Sequence, residues 1–142
     1  MGGGDTPEDI CGAFEQALNQ SWNSTAKYAV LITDAPCHGK KYHACDDSYP
    51  NGDPNGLKPE NQIEEFVKRG INLYGIKITN ITDKMYEIFS EVYQNQAKTP
   101  MCIGNLGQNT KSFGFYIAST VTATLSASVI SSDVSYIKRA LK

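Results

Sequence analysis

Tyr28–His38 reads Tyr-Ala-Val-Leu-Ile-Thr-Asp-Ala-Pro-Cys-His, an apolar, β-branched run that stops at a carboxylate. So short and uniform a run fits a strand buried on both faces, as in a parallel sheet covered by helices. Pro36 cannot donate to a ladder, so the strand must end before it, with Asp34 at its carboxyl end. Open α/β sheets place their ligands at that edge. Two expectations follow: a strand over Tyr28–Thr33, and Asp34 as the centre of a cation site.

The flanking sequence supplies the partners of such a strand. Thr6, Pro7 and Asp9 form a helix start, with a capping hydroxyl, proline at the first helical position and an acid at the third. Ile10, Ala13, Phe14, Ala17 and Leu18 follow as one apolar stripe. From Cys37 to Pro59 the chain reads as a long loop rich in Gly, Pro, Asn and Asp, and loops of that length are functional or mobile. Pro59 opens a second helix with Ile63, Phe66 and Val67 inward, and Gly70 is placed to cap it. Ile71–Ile78 is a second strand. A third helix runs from about Asp83 to Asn95, with Thr82 as cap and Met85, Ile88, Phe89 and Val92 buried.

Met101-Cys102-Ile103 is a short third strand. Phe113, Ile117, Thr120 or Val121, and Thr124 recur at helical spacing and predict a fourth helix from Thr110 onward, and the polar last dozen residues are expected to fray. Short connections and right-handed crossovers make the strands parallel and sequential. The expected fold is α/β, a doubly wound parallel sheet of about three strands and four helices, with helices on both faces. With no repeat and no linker, residues 1–142 read as one domain.

Composition excludes several classes. Hydrophobic residues make up 40% of the chain, which supports a core and argues against disorder. The net charge of −2, from 13 basic and 15 acidic side chains, leaves no nucleic-acid footprint. No stretch has the apolar length of a membrane span, and no signal peptide opens the chain. Cys11 and Cys102 fall in apolar patterns where thiols act as small hydrophobes. One loop-borne pair, Cys37 and Cys45, is no disulfide framework, so a reduced, cytoplasmic protein is expected. Asn19, Asn23 and Asn80 head Asn-x-Ser/Thr sequons, a pattern common by chance.

Asp5 and Glu8, on the loop before the first helix, are expected at the same sheet edge as Asp34. Three converging carboxylates repel unless a cation or protons intervene, and a hard ion such as Mg²⁺ accepts such oxygens. Acids before a helix also serve simply as caps. Cys37, His38, His43 and Cys45 carry zinc-type ligands without the paired spacing of zinc sites. Asp46-Asp47 through Asn55-Gly56 lacks the alternating ligands of a calcium loop and reads as a solvated turn. Gly39-Lys40 lacks the earlier glycine of a phosphate loop. Asp34, Cys37 and His38 could instead serve a small metal- or cysteine-dependent hydrolase.

Gly2-Gly3-Gly4-Asp5-Thr6-Pro7-Glu8 followed by Leu31-Ile32-Thr33-Asp34-Ala35-Pro36 resembles a von Willebrand factor type A domain. Asp34-Ala35-Pro36-Cys37-His38-Gly39, Tyr42-His43 and Tyr49-Pro50-Asn51-Gly52 bring the resemblance closest to the A domains that accompany alpha-type protein kinases, from Gly2 to about Val129. The resemblance implies a metal-ion-dependent adhesion site drawing on Asp34, Glu8, Asp5 and Thr6, with Asp34 matching the third-loop aspartate and Glu8 the second-loop acid. The first-loop Asp-x-Ser-x-Ser does not occur in these residues, so the chain looks like the second half of the domain. An ion at Asp34 would then keep more water and bind weakly. The implied function is a non-catalytic binding module whose Mg²⁺ accepts a carboxylate from a protein partner. The missing central strand would leave the Tyr28–Thr33 edge open to self-association.

Overall fold

A computed structural model describes residues 4–106 together with Ala118, Ser119 and Thr122. The chain divides into two compact units, Met1–Gln108 and Asn109–Lys142. In the second, Ala118, Ser119 and Thr122 are helical and exposed. The rest of the predicted fourth helix, with Phe113, Ile117, Thr120, Val121 and Thr124, lies outside the described residues, as do Gly2 and Gly3 and the polar last dozen.

In the first unit, strands β1 (Tyr28–Thr33), β2 (Asn72–Lys77) and β3 (Cys102–Asn105) pair in parallel, in the order β1-β2-β3. Helices α1 (Ile10–Leu18), α2 (Pro59–Lys68) and α3 (Asp83–Ala97) alternate with them. Ala29 pairs with Leu73, Leu31 with Gly75, and Gly75 with Ile103, so these positions share one face. Ala29, Leu31, Leu73 and Ile103 pack into one core with Phe14 of α1, Phe66 of α2 and Phe89 of α3. Among the described residues all three helices therefore cover the same face.

The helix expected on the other face is the fourth, which lies outside the described residues. Strands laid down side by side in chain order, through right-handed crossovers, put each connecting helix on one side. Strand β1 is not buried on both faces: Tyr28 to Leu31 are half-buried and Ile32 is 38% exposed. On that second face Tyr28 stacks on Tyr74, ring centroids 5.9 Å apart.

The helix ends follow local chemistry. Helix α1 begins later than Thr6 and Pro7 imply, because Glu8 is held extended: its N–H donates to Pro36 O at 2.9 Å and it bridges Cys37 in parallel. Asp9 is the cap instead, its carboxylate accepting from Gly12 N–H at 2.7 Å. A Cβ at Gly12 would sit 2.2 Å from that carboxylate, so glycine leaves the cap its room. Helix α2 opens on Pro59 and closes at Gly70, φ +67°. There Gly70 N–H bonds Val67 O and Ile71 N–H bonds Phe66 O, the paired bonds of a Schellman motif. Thr82 precedes α3 but does not cap it by side chain; its hydroxyl donates to Thr79 O.

Met85 and Phe89 of α3 are fully buried as expected, whereas Ile88 and Val92 only flank the core. Tyr86 takes a place the periodicity did not assign. Its ring lies over Gly75, and its hydroxyl reaches Leu31 O at 3.1 Å and Ile76 O at 3.3 Å, across the β1–β2 boundary. Cys102, expected as a buried small hydrophobe, is exposed. No helix among the described residues is long and apolar enough to cross a membrane.

Candidate functional site

Segments from four parts of the chain meet at the carboxyl ends of the strands. Thr33, the last residue of β1, closes a tight turn in which its hydroxyl accepts from Ala35 N–H and donates to Ala35 O. That turn leaves Asp34 exposed at the lip of the sheet. Residues 5–9 run alongside through the Glu8–Pro36 hydrogen bond. The segment after β2 joins them where Thr79 Oγ1 donates to Asp34 O. The loop from Cys37 to Lys58 completes the rim. Its contact is Asp5, whose carboxylate accepts from Ser48 N–H at 2.6 Å.

The sequence-predicted metal ligands divide here. Glu8 and Asp34 stand on adjacent, paired segments, both exposed, and neither carboxylate has an ion-pair or hydrogen-bond partner among the described residues. Thr6 is exposed beside them. Asp5 turns away to the long loop, where the Ser48 hydrogen bond holds its carboxyl below the usual range. The oxygens of Glu8 and Asp34 are the hard, uncommitted donors that Mg²⁺ takes, usually with several waters. Among the described residues Asp5, Glu8 and Asp34 do not bring their ligand atoms to one point, since Asp5 groups with His38 and Asp47 instead.

Sequence reasoning missed the strongest polar feature of the rim. Asp47, read as part of a solvated turn, has a fully buried side chain and organises the long loop. It accepts from Gly39 N–H at 2.7 Å, His38 Nδ1 at 2.8 Å, Tyr49 N–H at 2.8 Å and His43 Nε2 at 3.1 Å. Burial opposes its ionisation, but the bonds from Gly39, His38 and Tyr49 outweigh it and hold the carboxyl at about 2. The tautomers follow from the partners. His43 Nδ1 accepts from Cys45 N–H, so Nε2 carries the proton donated to Asp47. His38 donates through Nδ1, and its ring meets Tyr49 edge-on at 5.0 Å.

Among the described residues, Asp5, His38 and Asp47 place ligand atoms within 4.8 Å of one another. The 2.8 Å separation of His38 Nδ1 from Asp47 is that of a hydrogen bond. An ion between them would have to displace that proton and spread the pair. The cluster is thus a hydrogen-bonded frame for the loop. Cys37, His43 and Cys45 are not members of it, so the Cys/His quartet does not converge.

Cys37 is 1% exposed, with Met85 Sδ against its N–H, and burial pushes its thiol well above the ordinary value. A neutral thiol in the core is a poor nucleophile. Beside the loop, a cleft of about 450 Å³ is lined by His38, Lys41, Tyr42, Asn51, Lys58 and Glu60 among others. Two of its charges meet each other: Glu60 accepts from Lys41 and also from the Tyr42 hydroxyl. The same contacts hold Glu60 low against its burial, while burial and Glu60 raise Tyr42.

Comparison with known proteins gives a partial match. Over 74 residues, 51% of this chain, it is 42% identical to an alpha-protein kinase of Dictyostelium discoideum, vwkA, and it spans 12% of that protein's length. No family model matches the chain. No solved structure matches it either. The chain is a small parallel α/β sheet unit with sequence similarity to a segment of an alpha-protein kinase.

Proposed function

We propose that this chain is a non-catalytic binding module of a kinase-associated protein, with a partial metal-ion-dependent adhesion site of the von Willebrand A type. Asp34 and Glu8 would hold Mg²⁺, with Thr6 near them, and a carboxylate from a protein partner would complete the ion's coordination. The observation that carries this is the pairing of Glu8 with Pro36 and Cys37. It brings the two motifs, far apart in sequence, to one edge with both acids exposed and uncommitted. The similarity to an alpha-protein kinase supports the kinase context. Burial of Cys37 speaks against the cysteine-dependent form of the hydrolase alternative.

Mg²⁺ supplies a positive centre that a carboxylate can enter. The Thr33–Ala35 turn and the Thr79 hydroxyl on its carbonyl fix the backbone of Asp34, whose exposed side chain would hold the ion. With two protein carboxylates and no hydroxyls from a first loop, Mg²⁺ should bind this chain only at millimolar concentration. Isothermal calorimetry tests this. Micromolar affinity would show the first loop to be dispensable, and an Asp34→Ala variant with unchanged affinity would remove Asp34 from the site.

A further inference from the structure

We propose that the rim beside Asp34 docks a short acidic–apolar segment of a partner protein, its apolar side chain seated against Ile81 and Ala44 and its acid drawn towards Lys84. The surface lies next to the Asp34 site and rests on that reading, because an ion there would offset the exposed carboxylates of Glu8 and Asp34 that otherwise repel the segment's acid. Ile81 lies in the 3₁₀ turn Asn80–Thr82 and is 44% exposed. The turn cannot roll it inward. Thr82 fills the buried slot at 0% exposure, with its hydroxyl on Thr79 O, and Thr79 is tied to Asp34. An isoleucine so fixed in water, beside the candidate ion site, is a preformed apolar contact.

The space next to it supports a side chain. A depression of about 470 Å³ is lined by Ile81, His43, Ala44 and Cys45, and by Asp83 and Lys84. Its back wall is rigid, since His43 is fixed between Asp47 and Cys45 N–H. Charge selects the occupant. Asp83 is neutralised by Lys77. Lys84 is exposed, its ammonium only 3.5 Å from Lys40 O, and Lys40 lies beside it. A basic segment would meet both ammonium groups; an acidic one is attracted by them, and its apolar neighbour covers Ile81.

The test uses the 142-residue chain, isotope-labelled, with two capped hexapeptides, Gly-Gly-Asp-Leu-Gly-Gly and Gly-Gly-Asp-Gly-Gly-Gly. Each is titrated in about 50 mM Mg²⁺, above the millimolar range expected for the ion, and again in EDTA, while backbone amide shifts are followed. The leucine peptide should move the amides of Ala44, Cys45 and Ile81 and bind about tenfold more tightly than the glycine peptide. Ile81→Ser, an exposed change that leaves the fold intact, should erase that difference, and Lys84→Glu should weaken both peptides. Equal binding of the two peptides, or a leucine preference that survives Ile81→Ser, overturns the docking surface. Concentration-dependent self-association abolished by Ile81→Ser, with no peptide effect, also overturns it by making a second copy the occupant. The EDTA arm separates the two ideas: a leucine preference that persists without Mg²⁺ retains the Ile81 surface and removes the ion from it.

Discussion

Replacing Asp47 by alanine strips four donors of their acceptor at once. A hydrogen bond to a charged group contributes roughly 1.5–3 kcal/mol, so a plain sum over Gly39, His38, Tyr49 and His43 would run from about 6 to 12 kcal/mol. That sum overstates the loss, because the bonds share one carboxylate and the Tyr49 N–H, on the exposed side, regains water. His43, 4% exposed, cannot do so. The expected destabilisation is about 3–5 kcal/mol, the range for breaking a buried ionic contact on one side. Against a typical total of roughly 5–15 kcal/mol this leaves a marginal domain. Urea unfolding followed by the fluorescence of Trp22, whose indole N–H bonds Ala17 O, gives the value.

The pH arm has a defined sign. The folded-state pKa of Asp47, about 2, lies below its ordinary 3.8. Its contribution is therefore fully present above that ordinary value and is lost as pH falls towards 2. Asp5, Glu60 and Glu65 are also held low, so wild type loses stability in acid for several reasons. Asp47→Asn keeps the shape and one acceptor, and it should show a shallower loss between about pH 5 and pH 2. A destabilisation by Asp47→Ala below about 1 kcal/mol would refute the idea that this carboxylate organises the loop.

Other consequences are simpler. Gly75→Ala would place a Cβ 2.4 Å from the Tyr86 ring, which its two hydroxyl contacts hold in place, so thermal unfolding should report a loss of about 2–3 kcal/mol. Gly70→Ala meets no atom within 4 Å but must adopt φ +67°, and should lose about 1 kcal/mol in urea. Lys98 already occupies that left-handed region at φ 61°, so Lys98→Gly should gain stability by up to about 1 kcal/mol, and a loss would contradict the strain argument. Thiol labelling of native protein at pH 8 should modify exposed Cys102 rapidly and spare Cys37 and Cys11, whose burial raises them, Cys11 to about 12. Fast modification of Cys37 would revive the hydrolase alternative.

Much of the fold was legible because hydrophobic runs and caps act locally. Tyr28–Thr33 is a strand over the expected residues, and Pro59 and Gly70 bound α2 as their backbone preferences require. The start of α1 was misplaced because two grammars overlap there. Thr6-Pro7 obeys the rule for a helix start, but Glu8 is claimed by a parallel contact to Cys37, nearly thirty residues on. Gly12 was the available signal, since a glycine three residues into a helix makes room for the Asp9 cap.

The rim shows why spacing alone does not separate a ligand set from a hydrogen-bond hub. Cys37, His38, His43, Cys45 and Asp47 are the residue types of a metal loop, and in sequence nothing distinguishes an imidazole that binds an ion from one that donates to a carboxylate. The distinction is made by which nitrogen is engaged. His43 is engaged at both, by Cys45 N–H and by Asp47, and has no lone pair left for a metal. Asp47 in turn has spent its oxygens on four donors. At this rim Glu8, Asp34 and Asp46 have carboxylates without a partner among the described residues, and of these Glu8 and Asp34 stand on the paired segments. It is their lack of partners among the described residues, beside a loop braced by Asp47, that makes this edge the place to look for an ion.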